Sequence, residues 1–307
     1  MTAEPSPQNK STNTIDKTTA HDTQKNTFKN RIHTIYNNIS SYLLITPFAI
    51  LVVLFLFAPL VWVIINAFYD DSNSLSLTNI KAIFDSAFYR QSIFVSLKLS
   101  FFSSLIGLII GFQGAYSLYQ VKDSYFGKIL VGLNSLLSNF SGVPLAFAMM
   151  IVFGSSGVLT LLSQHFGIDT LVDIYSYQGI LVSYIYFQIP LAVLLLYPAI
   201  ESLQKEWLEN AYLLGSSFVG YFFKVALPVL MPAILGAFTI LFANALGAYA
   251  TAYALTTGNF NILPIRISSL IAGNLTLEPN MASALALVLV SLMFIVTVIH
   301  QYILKRY

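Results

Sequence analysis

The stretch Glu209–Pro228, ENAYLLGSSFVGYFFKVALP, is too polar to be a plain membrane crossing and too apolar to be a plain linker. The residues just before it, 201-ESLQKEWL-208, are good helix formers. Leu203, Trp207, Leu208, Ala211, Leu214 and Phe218 mostly fall three or four positions apart, the spacing of one face of an amphipathic helix. Gly215 then suits a tight turn, because glycine alone enters left-handed backbone without cost. A second short helix is predicted through SSFVGYFFKV, with Leu227-Pro228 marking entry into the next long apolar segment. Such a helix–turn–helix has two readings. It anchors the fold at a membrane interface, or it is a knob received by a partner.

The surroundings decide that a membrane is involved. Of the 307 residues, 56% are hydrophobic and only 9% are charged, against about 25% charged in an ordinary soluble domain. Too few polar side chains remain to cover a globular surface, and long apolar runs point to the bilayer. There is no cysteine, which removes disulfides, thiolate nucleophiles and cysteine metal sites. The net charge of +2 is too weak to suggest a nucleic-acid partner.

Residues 1–38 are rich in Thr, Asn, Lys and Gln and read as a disordered tail. The first apolar run begins too late for an ordinary signal peptide and lacks a small-residue cleavage site. Six spans are expected, at 42–66, 93–118, 129–153, 179–200, 229–252 and 283–304. Each is long enough to cross about 30 Å of hydrocarbon. Basic residues set the orientation. Lys10, Lys17, Lys25, Lys29, Arg31, Lys122, Lys128, Lys205, Lys224, Lys305 and Arg306 fall on one side. Only Lys81, Arg90 and Arg266 fall on the other, so both termini are expected in the cytoplasm. Lys98 lies near the outer end of the second span, where its stem can snorkel, and a packing or interface role is preferred to a pore role.

On the cytoplasmic side, Glu209, Ala211, Gly215, Leu227 and Pro228 fall into a spaced pattern. Three residues separate Ala211 from Gly215, nine more lead to Val225, and Ala226, Leu227 and Pro228 follow. This resembles the EAA loop of permease subunits in binding-protein-dependent ABC importers. Asn210 stands where the loop has its first Ala, and Val225 where it has Ile. The second span, with Gly107, Gly111, Gly114 and Ala115 in LIGLIIGFQGAYSL, is similar to the segment that opens the family core, and its small residues permit close helix packing.

The resemblance implies an all-α membrane protein of six transmembrane helices, with a MetI-like ABC importer permease fold and a cytoplasmic coupling helix. It divides the chain into the tail, a first helix with its periplasmic loop over 39–91, a permease core over 92–304 and a short cytoplasmic C-terminus over 305–307. It also implies no chemistry and no cofactor of the chain's own. The implied partners are two cytoplasmic ATPase subunits, a second permease (a homologue by preference), a periplasmic or lipid-anchored solute-binding protein and membrane lipid. Glu209, Asn210, Ala211, Gly215, Phe218, Val225, Leu227 and Pro228 would form the ATPase-coupling loop, with Tyr221, Phe222 and Phe223 adding apolar contact. No Walker A sequence occurs, which places ATP binding on another chain. His21, His33, His165 and His300 are scattered, and no HExxH or Ser–His–Asp set can be assembled from their order.

Polar groups within apolar spans are costly unless they are paired or functional. Asn134, Ser135, Asn139 and Ser141 in the third span, Tyr184, Tyr186 and Gln188 in the fourth, and Asn244, Tyr249 and Thr251 around the fifth are candidates for a translocation path. Helix–helix hydrogen bonding is the competing role. The segment NALGAYATAYALTTG and the outer loop after it are similar to permeases of the polyamine, aminoethylphosphonate, iron and sulfate group. Glu278, the sole acid of that loop, is read as an exposed charge in preference to a cation ligand. A polyamine-like solute or aminoethylphosphonate is the first expectation, with sulfate, iron and thiamine open. A secondary transporter and a polytopic assembly protein are the remaining alternatives.

Overall fold

A computed structural model describes residues 45–70, 74–167, 172–272 and 277–305; the tail expected over 1–38 lies outside them. The chain divides into two compact units, with the boundary after Trp62. The first contains most of α1 (Ile45–Asn66), apolar on every face. The second begins with the end of α1 and the short α2 (Thr78–Asp85), then runs through α3 (Ala87–Gln120), α4 (Tyr125–Leu137), α5 (Gly142–Phe153) and α6 (Val158–His165). It continues with α7 (Tyr177–Glu201), α8 (Lys205–Leu213), α9 (Phe218–Leu246), α10 (Ala250–Thr256), α11 (Leu263–Ala272) and α12 (Pro279–Leu304). Six segments of this all-α chain are long and apolar enough to cross a membrane: α1, α3, α5 with α6, α7, α9 and α12.

The central seam is α3 against α7. A Cβ added at Gly107 would lie 2.6 Å from the Gln188 Cβ, and one at Gly111 would lie 2.4 Å from the Ala192 Cβ. Only hydrogen at these positions lets the backbones approach so closely, the use expected of the glycines from sequence. Lys98 faces Tyr177 near one end of the seam, and Lys122 meets Glu201 at the other. The partners therefore advance together along both helices, and α3 and α7 run parallel. The chain between two parallel spans must return across the bilayer, as a third span requires.

That third span is not the continuous helix expected over 129–153. It breaks between Leu137 and Gly142. Ser138 Oγ and Asn139 Nδ2 both turn back onto the Ser135 carbonyl, at 2.8 and 3.1 Å, and Gly142 takes φ +71°. Side chains that recapture carbonyls in this way favour helix ends. Asn139, one of the residues that looked like path lining in the sequence, thus helps to terminate α4.

The fifth span also differs from expectation. It starts at Phe218, ends at Leu246 and passes through Pro228 without a break. A π-helical turn, Phe222–Ala226, precedes the proline, and the Leu227 N–H reaches five residues back to the Phe222 carbonyl. Proline lacks the N–H for the ordinary bond, and its ring crowds the carbonyl four residues earlier. Widening the preceding turn accommodates both constraints. The same arrangement occurs in α1, where the π-turn Val53–Phe57 ends two residues before Pro59. Pro228, read as the entry to the fifth span, therefore lies inside a helix. The second and sixth spans exceed their expected lengths at both or one end, and the outer 5–6 segment holds α10 and α11.

Candidate functional site

Two sites emerge, one in the bundle and one at its end. The first is a vestibule of about 430 Å³ built around two irregular stretches of backbone, Ser141-Gly142 and Gly247-Ala248-Tyr249. Asn244 and Thr251 complete its polar wall, with Phe187 and Ala243 among its apolar lining. Non-helical backbone is tolerated at membrane depth only where protein buries it or where it lines a wet cavity. Three hydrogen bonds fix this wall. Tyr184 Oη donates to the Ala248 carbonyl, Thr251 Oγ1 donates to the Gly142 carbonyl at 3.2 Å, and Ser268 Oγ from α11 lies 3.0 Å from Tyr249 Oη. Asn244 is exposed and has no hydrogen-bond partner among the described residues, so its amide remains available to a solute.

Of the path residues expected from sequence, Ser141, Asn244, Tyr249 and Thr251 gather at this vestibule. Tyr184 and Gln188 do not line it; they hold its frame. Gln188 is fully buried, and its Nε2 donates to Ser104 Oγ at 3.0 Å and to the Leu241 carbonyl at 2.9 Å, joining α3, α7 and α9. Asn134 Nδ2 donates to the Pro190 carbonyl at 3.1 Å and ties α4 to α7. Ser135 and Asn139 are exposed at the end of α4. Sequence reasoning missed Gly142, Gly247 and Phe187. The two glycines carried a signal, since isolated glycines in apolar runs mark bends or close approach; Phe187 carried none.

The second site is α8 and the turn after it. None of the residues in α8 is buried. Gly215 has φ +77° with open space where a Cβ would stand, so the requirement for glycine is conformational. The turn leaves Leu213 and Leu214 85% and 87% exposed, with Tyr212 half exposed beside them. Glu209 and Asn210 are exposed, Ala211 and Val225 are half-buried, and Ser217 caps α9 by accepting from the Gly220 N–H. Phe218 and Leu208 line a small apolar crevice of about 90 Å³ with Tyr116, Tyr221 and Phe222, which seats the root of α8 on α3 and α9. Leu227 and Pro228 lie within α9. At the edge of this site Lys122 Nζ meets Glu201 Oε1 at 2.8 Å and sits 4.7 Å from the Tyr119 ring centre. The hydrogen bond that Lys122 donates to Glu201, supported by the surrounding charges, raises the Lys122 pKa above the ordinary lysine value.

On the opposite end, Arg266 of α11 donates to the Phe260 carbonyl at 3.0 Å and stacks on the Phe88 ring. Burial lowers its pKa and outweighs the opposing influence of Tyr89. No group of three or more metal-ligating side chains occurs among the described residues.

Comparison with known proteins agrees with this architecture. The spermidine/putrescine permease protein PotC of Haemophilus influenzae is 23% identical over 274 residues, covering 87% of this chain and 99% of that one. A putative ferric transport permease, FbpB 1, of the same organism is 26% identical over 260 residues, covering 83% of this chain and 40% of its own length. A putative 2-aminoethylphosphonate permease, PhnU, of Salmonella choleraesuis is 25% identical over 232 residues, covering 74% and 79%. Among solved structures, a bacterial ABC transporter for alginate import aligns with a TM-score of 0.73 at 17% identity, covering 89% of this chain and 97% of that one. The MetNI methionine transporter, inward-facing, aligns at 0.54 and 16%, covering 70% and 94%. These two show the fold, which resembles the MetI-like permease fold. Residues 103–307, two thirds of the chain, match the family of binding-protein-dependent transport system inner membrane components. The chain belongs to that family and is a multi-pass, non-catalytic permease subunit of an ABC importer.

Proposed function

We propose that the chain forms half of the translocation path for a small polar solute, with the vestibule at Asn244, Tyr249 and Thr251 as its passage and α8 as its coupling helix. The solute class is polyamine-like or aminoethylphosphonate, in line with the names of PotC and PhnU. Sulfate, iron and thiamine stand behind it; a probable sulfate transport system permease protein of Chlorella vulgaris is also among the relatives. The vestibule lining carries no acidic side chain. A polycation would therefore be selected mainly by the solute-binding protein and passed through a neutral polar channel.

The observation that carries the coupling role is the apolar tip of α8, Leu213 and Leu214, held almost fully exposed by the turn at Gly215. Exposed leucines on a rigid, conformationally fixed turn suit a groove on another protein. The helix is joined to two long spans, α7 before it and α9 after it. ATP-driven closure of two cytoplasmic ATPase subunits would shift α8 and bias the inward-open and outward-open states. Both termini and α8 lie in the cytoplasm in this reading, the second permease is a homologous chain, and the binding protein docks on the opposite face. A secondary transporter that works without ATPases is the second reading.

The test is extraction of the complex in mild detergent from native membranes, followed by mass spectrometry of its subunits and of the ligand held by any binding protein. A co-purifying ATPase and binding protein are expected. Transport that continues with neither present, even after crosslinking in the membrane, would replace the importer reading with the secondary transporter. The retained ligand assigns the solute.

A further inference from the structure

We propose that a cleft between α3, α9 and α12 seats one anionic phospholipid, its phosphate held by Lys98 and its acyl chain by the phenylalanines below. The cleft encloses about 580 Å³, within the roughly 300–1,000 Å³ of ordinary ligand sites. Phe94, Phe101, Phe102, Phe238 and Phe242 supply most of its wall, and Lys98 is the one charged residue in it. No carboxylate pairs with Lys98 among the described residues. Its ammonium instead faces the Tyr177 ring, 5.3 Å from the centroid.

Position makes the lysine more than a solvated surface charge. It lies within a membrane-spanning helix, eleven residues or about 17 Å from its first residue, Ala87. Tyr177 is the first residue of α7, so the ammonium lies level with the start of that span, from where a lysine can snorkel to lipid headgroups. The Tyr177 hydroxyl is shielded and has no hydrogen-bond partner among the described residues. This corner of the bundle thus holds a cation without a carboxylate partner in the wall of an apolar trough. A lipid phosphate supplies the missing charge, and a chain descending from it fills the trough. A zwitterionic lipid would fill the trough equally well but offer Lys98 no net charge, which makes headgroup selectivity the property to measure. The proposal rests on membrane insertion alone and is independent of the solute and of the coupling role of α8.

Native mass spectrometry of the full chain with its co-purifying subunits tests it, using added phosphatidylglycerol or phosphatidylcholine of matched chains. The wild type is expected to retain phosphatidylglycerol with about a tenfold preference, K98Q to lose that preference, and K98R to keep it. Equal retention of the two lipids by the wild type, or an unchanged preference in K98Q, would overturn the proposal. Should K98Q not accumulate, I299W in the lining of the cleft replaces it. That variant is expected to lower phosphatidylglycerol retention several-fold, and undiminished retention would overturn the site. A photo-crosslinker at Phe94 that captures a polypeptide in place of lipid would also overturn it. Subunit stoichiometry is read from the same spectra, so loss of assembly is distinguished from loss of lipid.

Discussion

The α3–α7 seam and the α8 turn handle apolar residues in opposite ways. In the seam, Leu99, Ala115, Ala192 and Leu196 are buried, and glycines bring two backbones together. At the turn, Leu213 and Leu214 point into open space although the chain spends a left-handed glycine to hold them there. One region completes its packing within the chain; the other leaves its apolar side chains exposed. Substitutions at the seam should therefore act on the stability of this subunit, and substitutions at the turn on what it assembles with and transmits.

The sharpest way to break the contrast is Gly111→Leu. The new side chain starts inside contact distance of Ala192, with the backbone of Ile189 and Val193 close behind. Overpacking of this kind costs about 3 kcal/mol, and a lowered Tm with an early-eluting, aggregated fraction in size-exclusion chromatography is expected. Next is the double change Leu213→Glu with Leu214→Glu. Transport in proteoliposomes should fall at least tenfold, about 1.4 kcal/mol of lost coupling, while the Tm of the isolated permease stays within about a degree. A matching fall in Tm would mean that the turn is structural after all.

Gln188→Leu comes after these two. It frees the Leu241 carbonyl and Ser104 hydroxyl from their bonds to the amide. Hydrogen bonds between membrane helices average about 0.6 kcal/mol, so a loss near 1 kcal/mol is expected for the pair, read as a modest drop in Tm with ATPase co-purification intact. The smallest effect is Lys122→Gln. This pair is exposed to solvent, and such pairs contribute little to stability, weakened further by salt. The Lys122 pKa is raised in the folded state, so its contribution is present in full below the ordinary value of 10.5 and is lost as pH rises through the higher folded value. Thermal melts of wild type and K122Q should differ at neutral pH and converge only under strongly alkaline conditions.

Much of this was legible in the sequence. Long apolar runs located six spans, and small residues at Gly107 and Gly111 marked the close contact. The spacing of Gly215 from Ala211 located the turn. What escaped had a common cause: local rules met a competing local solution. Proline was read as a helix start at Pro228, whereas a wide π-turn carries α9 through it. Asn139 and Ser138 were placed inside a span, whereas their side chains compete for the backbone and end α4. Gln188 and Tyr184 looked like solute contacts because hydropathy registers a polar residue but not its partner; the partners lie on helices distant in sequence. The vestibule was half legible for the same reason, with its polar side chains visible and its irregular backbone not.

The unbroken run of α9 through Pro228 has a mechanical consequence. The Gly215 turn lies between two long rods, α7 of 25 residues and α9 of 29, roughly 38 and 44 Å in length. Three residues, 202–204, link α7 to α8, and four, 214–217, link α8 to α9, so there is little slack at either joint. The far end of α9 stops at Leu246, next to the Gly247 bend that walls the vestibule. A tilt of a few degrees about the turn moves that end by about 2–3 Å, since 44 Å of stiff helix acts as the lever arm. A helix that had broken at Pro228 would absorb the same displacement in its joint. The wide turn before the proline thus keeps α9 continuous between the exposed leucines at one end and the Gly247 bend at the other.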